Sequence, residues 1–372
     1  MDIMRTPRSL DLSITKRCNL RCDYCSHFNS AGEAGQDLPK EEWLRFFEEL
    51  NRYNIMYVTL GGGEPFFRGD LEEIIDGIVR NRMRFDILSN GTMISDNMSA
   101  FLRSTGRCNG VQVSIDGSTP ITHDSFRGKG NFFKTIQGIE SLRRNQVPVS
   151  VRVTIHRRNV RDLEGIARLL LKEIGIPAFS TNSASFMGLC RRNSEQVQLT
   201  VEERSLAMET LLRLRKRYKD RINATAGPLA EAIDWQRMEQ ARLDNKETQP
   251  GRGFLAGCGG PISKLAVRAD GVMVPCIQLS HIELGRINKD DLREVWQNNR
   301  ELKRIRERVC IPLSEFEFCQ GCDYIKYCTG SCPASAYTIL GQENHPSPES
   351  CLRVFLEAGG RLPPKDIGIR NG

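Results

Sequence analysis

Short runs of Val, Ile and Leu alternate with longer amphipathic stretches from about residue 9 to residue 187. The runs 9–14, 57–60, 85–89, 111–115, 149–155 and 178–186 read as strands. Between them, 39–52, 70–81, 96–104, 131–144 and 160–172 carry helical periodicity. Pro39 in a first turn, followed by Glu41 and Glu42, marks a helix start. Strand–helix alternation at this spacing predicts parallel strands joined by crossover helices. Six such units are too few for a closed eight-stranded barrel of about 250 residues, so an α/β fold with a partial (β/α)6 TIM-like barrel over 9–195 is expected.

The pattern changes after residue 195. Residues 202–221 are highly charged, with only Leu206, Leu211, Leu214 and Tyr218 as a thin apolar stripe. That predicts a surface or bridging helix, and 196–254 reads as a helical bridge ending in the linker-like Gln249-Pro250-Gly251-Arg252-Gly253. Residues 255–355 are dense in cysteine and poor in apolar runs, so metal is expected to help hold them together. The tail, 356–372, contains Gly and Pro and reads as loose.

Composition removes several function classes. No apolar run approaches the roughly 20 residues needed to cross a bilayer. The first ten residues contain Asp2, Arg5 and Arg8 and lack the apolar segment of a signal peptide, so a cytoplasmic protein is expected. The formal charge of +7 first suggests a nucleic-acid surface. Thiolates that ligate metal would lower it, so the charge does not call for a polyanion.

Thirteen cysteines are many for a reducing compartment, where grouped thiols more often ligate metal than form disulfides. Cys108 and Cys190 stand apart and read as ordinary thiols. Cys18, Cys22 and Cys25 follow the first strand within eight residues. Three thiolates on a four-iron cubane leave one iron open to bind other atoms. Zinc sites use paired C-x2-C units, which this spacing fits poorly. Gly61-Gly62-Gly63-Glu64-Pro65 ends the second strand, where glycines let backbone approach a ligand.

The Cys18/Cys22/Cys25 spacing, with Tyr24 before the third cysteine, resembles the radical S-adenosylmethionine (SAM) superfamily. The resemblance implies that Cys18, Cys22 and Cys25 hold a [4Fe–4S] cluster whose open iron grips SAM. It implies SAM contacts near Tyr24, an amino-group site at Gly62, Gly63 and Glu64, and Asn90 facing the site from the third strand. Ser114 and Asp116 correspond to the ribose-contacting segment, and Arg127 to an Arg for the SAM carboxylate. Further on, Cys258, Cys276, Cys319, Cys322, Cys328, Cys332 and Cys351 match the seven-cysteine signature of the SPASM extension. By that resemblance Cys319, Cys322, Cys328 and Cys351 hold an outer auxiliary cluster. Cys258, Cys276 and Cys332 hold an inner one, both clusters expected as [4Fe–4S]. Some relatives have a fourth inner ligand where this chain has Pro261, so either an iron is open there or Cys310 supplies the thiolate.

The resemblance further implies reductive cleavage of SAM to a 5′-deoxyadenosyl radical that abstracts hydrogen from a substrate. SPASM proteins act mostly on peptides, and the expected activity is that of a maturase of a ribosomally made precursor peptide. It would install a cyclophane, ether or thioether crosslink, as in the SynChlorMet-cassette type. Formylglycine-forming members carry an Asp after the second extension cysteine, where this chain has Ile277. A tetrapyrrole or small-molecule substrate, or an electron-carrying scaffold without catalysis, are the other readings. A flavodoxin or ferredoxin would supply electrons. The first strand begins near residue 9, which leaves no room for a fused leader-recognition domain, so a separate protein or the basic face would bind the leader.

Overall fold

A computed structural model describes residues 3–27, 37–255 and 258–364. The first strands and helices are β1 (Ser9–Thr15), α1 (Lys40–Arg52), β2 (Tyr57–Gly62), α2 (Leu71–Arg80), β3 (Arg84–Ser89) and α3 (Asp96–Ser104). They continue as β4 (Cys108–Ser114), α4 (Pro120–Arg127), α5 (Asn131–Arg144), β5 (Val149–Ile155), α6 (Leu163–Arg168) and β6 (Phe179–Ser183). All six strands are parallel and adjacent in chain order, which gives the expected partial barrel. The alternation follows the residues. Val111 and Val113, and Val151 and Val153, are buried against the helices, while Gln112, Ser114, Arg152 and Thr154 stay half-buried on the inner face. On α1, Trp43, Phe46, Phe47 and Leu50 repeat at helical spacing and are fully buried. The helical run expected over 160–172 divides, because α6 passes into a π-helical turn at Leu169–Glu173.

Residues 196–254 depart from the expected bridge. After α7 (Gly188–Arg192) and α8 (Ser194–Val197) come α9 (Val201–Arg217), β7 (Ile222–Ala224) and α10 (Pro228–Leu243). Strand β7 adds parallel to β6, so this segment continues the barrel's own alternation. A capping box starts α9: Glu203 N donates to Thr200 Oγ1 at 3.2 Å, and Thr200 N donates to Glu203 Oε2 at 2.9 Å. Leu211, Leu212 and Leu214 of α9 are buried, whereas Leu206 points outward. The buried stripe includes Ala207 and Met208, which a charge-dominated reading overlooks.

The extension is also less separate than its cysteine density implies. It contains α11 (Gly259–Ser263), β8 (Lys264–Val267), β9 (Val272–Val274), β10 (Gly285–Arg286), α12 (Leu292–Asn298), α13 (Arg300–Glu307), α14 (Pro333–Leu340) and α15 (Leu352–Glu357). Strand β8 pairs parallel with β1, so β8, β9 and β10 extend the barrel sheet on its first edge. Leu265, Val267, Met273, Leu292, Trp296 and Leu302 join the main core. The chain after α15 is anchored as far as residue 364: Arg361 N donates to Ser205 Oγ, and Gln236 Nε2 donates to Pro363 O, each at 3.0 Å. The rest of the expected loose tail, from 365, lies outside the described residues.

Candidate active site

The loop after β1 carries Cys18, Cys22 and Cys25 and is tied down on several sides. Gly63 N donates to Thr15 O and Glu64 N donates to Arg17 O, each at 2.8 Å. This close passage requires glycine at the end of β2. A Cβ on Gly62 would lie 2.3 Å from Thr15 O, and one on Gly63 would lie 2.1 Å from Arg17 O. Gly62 also has φ of +118°, which L side chains rarely adopt. Asp23 N donates to Phe126 O at 3.1 Å, and Leu189 N donates to Cys25 O at 2.9 Å. Asn193 Nδ2 donates to Asp23 O at 2.9 Å. The sheet, α4 and α7 thus clamp the thiol loop together.

The protein itself occupies several side chains expected to touch SAM. Glu64 is 1% exposed, and its carboxylate accepts from Asn90 N at 2.7 Å, Ser89 Oγ at 2.9 Å and Phe66 N at 3.2 Å. Burial pushes this carboxyl up to about 7, against the pull of those donors and of Arg127. Asn90 donates to Asn19 Oδ1 at 2.9 Å and to Cys18 Sγ at 3.8 Å, so it braces the thiol loop. The Asp116 carboxylate is fully buried and accepts from the Tyr24 hydroxyl, from Arg127 Nε and, at 2.8 Å, from Thr154 N. Burial works against ionisation there, but Arg127 and then the neighbouring histidines hold the carboxyl below its ordinary range. Asp116 thus already accepts three hydrogen bonds from the protein itself. Arg127 is committed to the same buried ion pair and does not line the open cavity. Ser114 remains half-exposed on the inner face, in register with Arg152.

The motif reading overlooked two histidines in this cluster. His156 is fully buried at the end of β5, stacked on Tyr24 at 5.6 Å and set against Phe126 at 4.0 Å between ring centroids. His123 Nδ1 accepts from Asp116 N at 3.2 Å. Burial pulls both imidazoles down to about 4, so they are neutral near pH 7. His123 lies one helical turn before Arg127 on α4. His156 gives no sequence signal beyond its place after a strand.

The remaining thiols fall into groups by mutual repulsion. Burial pushes Cys22 up to about 12, and Cys25 and Cys18 add to the rise. Burial pushes Cys276 up to about 11, with Cys258 and Cys332 adding to it. Cys319 goes up to about 12, first by burial and then by Cys328, Cys351 and Cys322. These mutual effects link Cys18, Cys22 and Cys25, then Cys258, Cys276 and Cys332, then Cys319, Cys322, Cys328 and Cys351. Cys310 is exposed and appears in none of these pairs, although nearby Arg308 faces Cys332 and Cys258. Among the described residues no three His, Cys, Asp or Glu side chains close on a single metal ion. Buried thiols crowded in threes and fours ionise only beside strong positive charge, and a multi-iron core supplies it.

A cavity of about 570 Å³ opens between the barrel and the extension. Its walls include Arg152, Asn182, Glu231, Asp234, Glu349 and the thiol-bearing Cys332. Glu231 pairs with Arg204 at 2.5 Å and Asp234 with Arg252 at 2.7 Å.

Residues 12–170 match the radical SAM superfamily, and residues 258–323 match the SPASM iron–sulfur cluster-binding domain, together more than half of the chain. The chain carries a radical SAM domain and a SPASM domain. Among characterised relatives of this radical SAM/SPASM chain, an AdoMet-dependent heme synthase of Methanosarcina barkeri is 28% identical. That alignment covers 90% of this chain and 93% of the relative. A PqqA peptide cyclase of Ruegeria pomeroyi is 23% identical over 90% of this chain and 84% of its own. The crystal structure of Streptococcus suis SuiB bound to the precursor peptide SuiA superimposes with a TM-score of 0.70 at 16% identity. It covers 94% of this chain and 77% of SuiB, a likeness of fold. No helix among the described residues is long and apolar enough to cross a membrane.

Proposed function

We propose that this radical SAM/SPASM enzyme oxidises a ribosomally synthesised precursor peptide and joins two of its side chains by a cyclophane, ether or thioether bond. Cys18, Cys22 and Cys25 would hold the SAM cluster. Cys319, Cys322, Cys328 and Cys351 would hold the outer auxiliary [4Fe–4S] cluster. Cys258, Cys276 and Cys332 would hold the inner one, with Cys310 as the fourth ligand. When bound, the first cluster and SAM supply a 5′-deoxyadenosyl radical that abstracts hydrogen. The chain's own part is to hold the thiol loop rigid, to offer the Gly62–Gly63 backbone and Ser114 to SAM, and to bring the substrate between barrel and extension.

The cavity carries this reading. It puts the inner barrel face and an inner-cluster thiol on the walls of one space large enough for peptide side chains. Three of its wall residues are carboxylates, against the single cation Arg152. Glu231 and Asp234 are spent on Arg204 and Arg252, so the lining is close to neutral and suits the uncharged side chains of a peptide. The heme synthase relative supports the tetrapyrrole reading, which therefore stands as the second. Ile277 packs against Ala266, Val272 and Val274, so no base stands after Cys276 and a formylglycine role loses support.

A flavodoxin or ferredoxin would donate electrons in the cytoplasm, and a separate leader-binding protein would deliver the peptide. Anaerobically reconstituted enzyme given SAM, reductant and a short peptide encoded beside it is expected to release 5′-deoxyadenosine and leave the peptide two hydrogens lighter. An unchanged peptide together with a modified haem precursor would replace this reading with the second.

A further inference from the structure

The charges on the walls of the cavity between barrel and extension are not all met in the same way. Glu231 pairs with Arg204, Asp234 pairs with Arg252, and Glu349 Oε2 accepts from Ser335 Oγ at 3.3 Å. Arg204 Nη1 also donates to Glu349 O at 2.8 Å, so that flank already holds a cation. Arg152 differs. It stands half-buried on the inner face of β5 and lines the cavity. Its Nε donates to Gln112 Oε1 of β4 at 2.8 Å, which fixes the stem. Among the described residues no carboxylate pairs with the guanidinium, and its terminal nitrogens make no hydrogen bond. On the next strand the Asn182 amide oxygen is buried on the same wall, also without a partner among the described residues. Asn182 is in register with Thr154, two residues beyond Arg152, so the two side chains share the inner face. A half-buried cation and a buried amide left open on one wall cost free energy, which a ligand bearing a carboxylate and an N–H would offset.

We infer that Arg152 and Asn182 form the specificity site for an acidic residue of the precursor peptide, the guanidinium taking its side-chain carboxylate and the Asn182 amide oxygen its backbone N–H. The inference rests on the peptide reading given above. The methionine carboxylate of SAM is the other source of the same group. The amine and carboxylate of SAM share one carbon, so a partner for that carboxylate belongs beside Gly62 and Gly63. Those glycines lie at the end of β2, three strands from β5, roughly 14 Å along the sheet at about 4.8 Å per strand. Neither glycine lines the cavity. The acidic residue would thus anchor the peptide while its uncharged neighbours meet the rest of the wall.

Wild type, R152Q, R152K and N182A are reconstituted anaerobically and given SAM, reductant and the short peptide encoded beside the gene. The same peptide is also made with its Asp and Glu residues changed singly to Asn or Gln. One of these amide versions is expected to lower kcat/KM of wild type about 30-fold, chiefly through KM. R152Q is expected to show the same loss with the unchanged peptide and no further loss with that amide version. R152K is expected to recover part of the loss, and N182A to show a smaller rise in KM. SAM affinity, measured on the same samples, is expected to be the same in R152Q as in wild type. Additive losses in R152Q and the amide version overturn the inference, as does a wild type indifferent to every acidic position. Weakened SAM binding in R152Q with an unmoved peptide KM overturns it too and gives the guanidinium to the SAM carboxylate. If R152Q does not fold, the amide versions acted on by wild type and by R152K decide. A wild type that leaves every peptide unchanged removes the peptide reading itself, and this inference falls with it.

Discussion

Cys18, Cys22 and Cys25 hang on a loop whose flanks are tied into the sheet and two helices. Cys319, Cys322 and Cys328 sit instead on short turns between a small cluster, with Leu255, Leu313 and Cys319 its buried members among the described residues, and the main core that Tyr327 and Cys328 reach. In the first region the backbone lattice sets where the thiols stand, so folding comes before iron. In the second the thiols are part of what is buried, so iron completes the fold. Under the proposed ligand sets, the same ligand chemistry would serve catalysis at one place and stability at the other.

Removing ligands separates the two regions most strongly. Ser at Cys319 and Cys322 is expected to leave residues 308–330 open to limited proteolysis and to lower the thermal midpoint sharply. Ala at Cys18, Cys22 and Cys25 together is expected to leave proteolysis and circular dichroism at wild-type levels while abolishing 5′-deoxyadenosine release. Equal proteolysis of both variants would erase the distinction.

A smaller effect tests the lattice that holds the first loop. Gly63→Ala sets a methyl against the Arg17 carbonyl, which cannot yield without moving Cys18. It is expected to cost about 3 kcal/mol in denaturant unfolding and to deplete iron at the first site. Gly259→Ala, with nothing within 4 Å, is the matched change in the extension and is expected to cost little.

The smallest effect concerns pH. Because the buried Glu64 carboxyl sits at about 7 in the folded protein, the fold binds its proton more tightly than the unfolded chain does. That contribution is complete below the unfolded carboxyl range near 4.5 and is lost as pH rises through 7. Wild type is expected to lose roughly 2–3 kcal/mol between pH 5 and pH 8. E64Q, less stable at pH 5 because one donor faces its amide, is expected to show no such slope in urea titrations at the two pH values.

Much of this was legible in the sequence, for local reasons. Strand β5 and helices α3 and α5 follow the residue pattern to the residue, since alternation and periodicity are properties of neighbours. The three thiol groups follow from spacing. Helix α4, with Pro120 in its first turn and Thr119 accepting from Thr122 N, lay within a stretch read only as a motif. Strand β7 is three residues long behind a charged helix, and nothing local marks it. The pairing of β8 with β1 joins segments some 250 residues apart, which no window of sequence contains. That Asp116 and Arg127 pair with each other is also hidden, because spacing cannot say that two polar residues face each other.

Strand β1 has one more consequence. Cys18 lies just past its Thr15 end. Strand β8 runs alongside, and β9 returns antiparallel, so Cys276 emerges next to the Ser9 end, where Asp11 acts on its thiol. Seven residues at about 3.3 Å put these ends roughly 20 Å apart. Under the proposed ligand sets, a single stretch of pleated backbone would set how far an electron has to travel between the two metal centres.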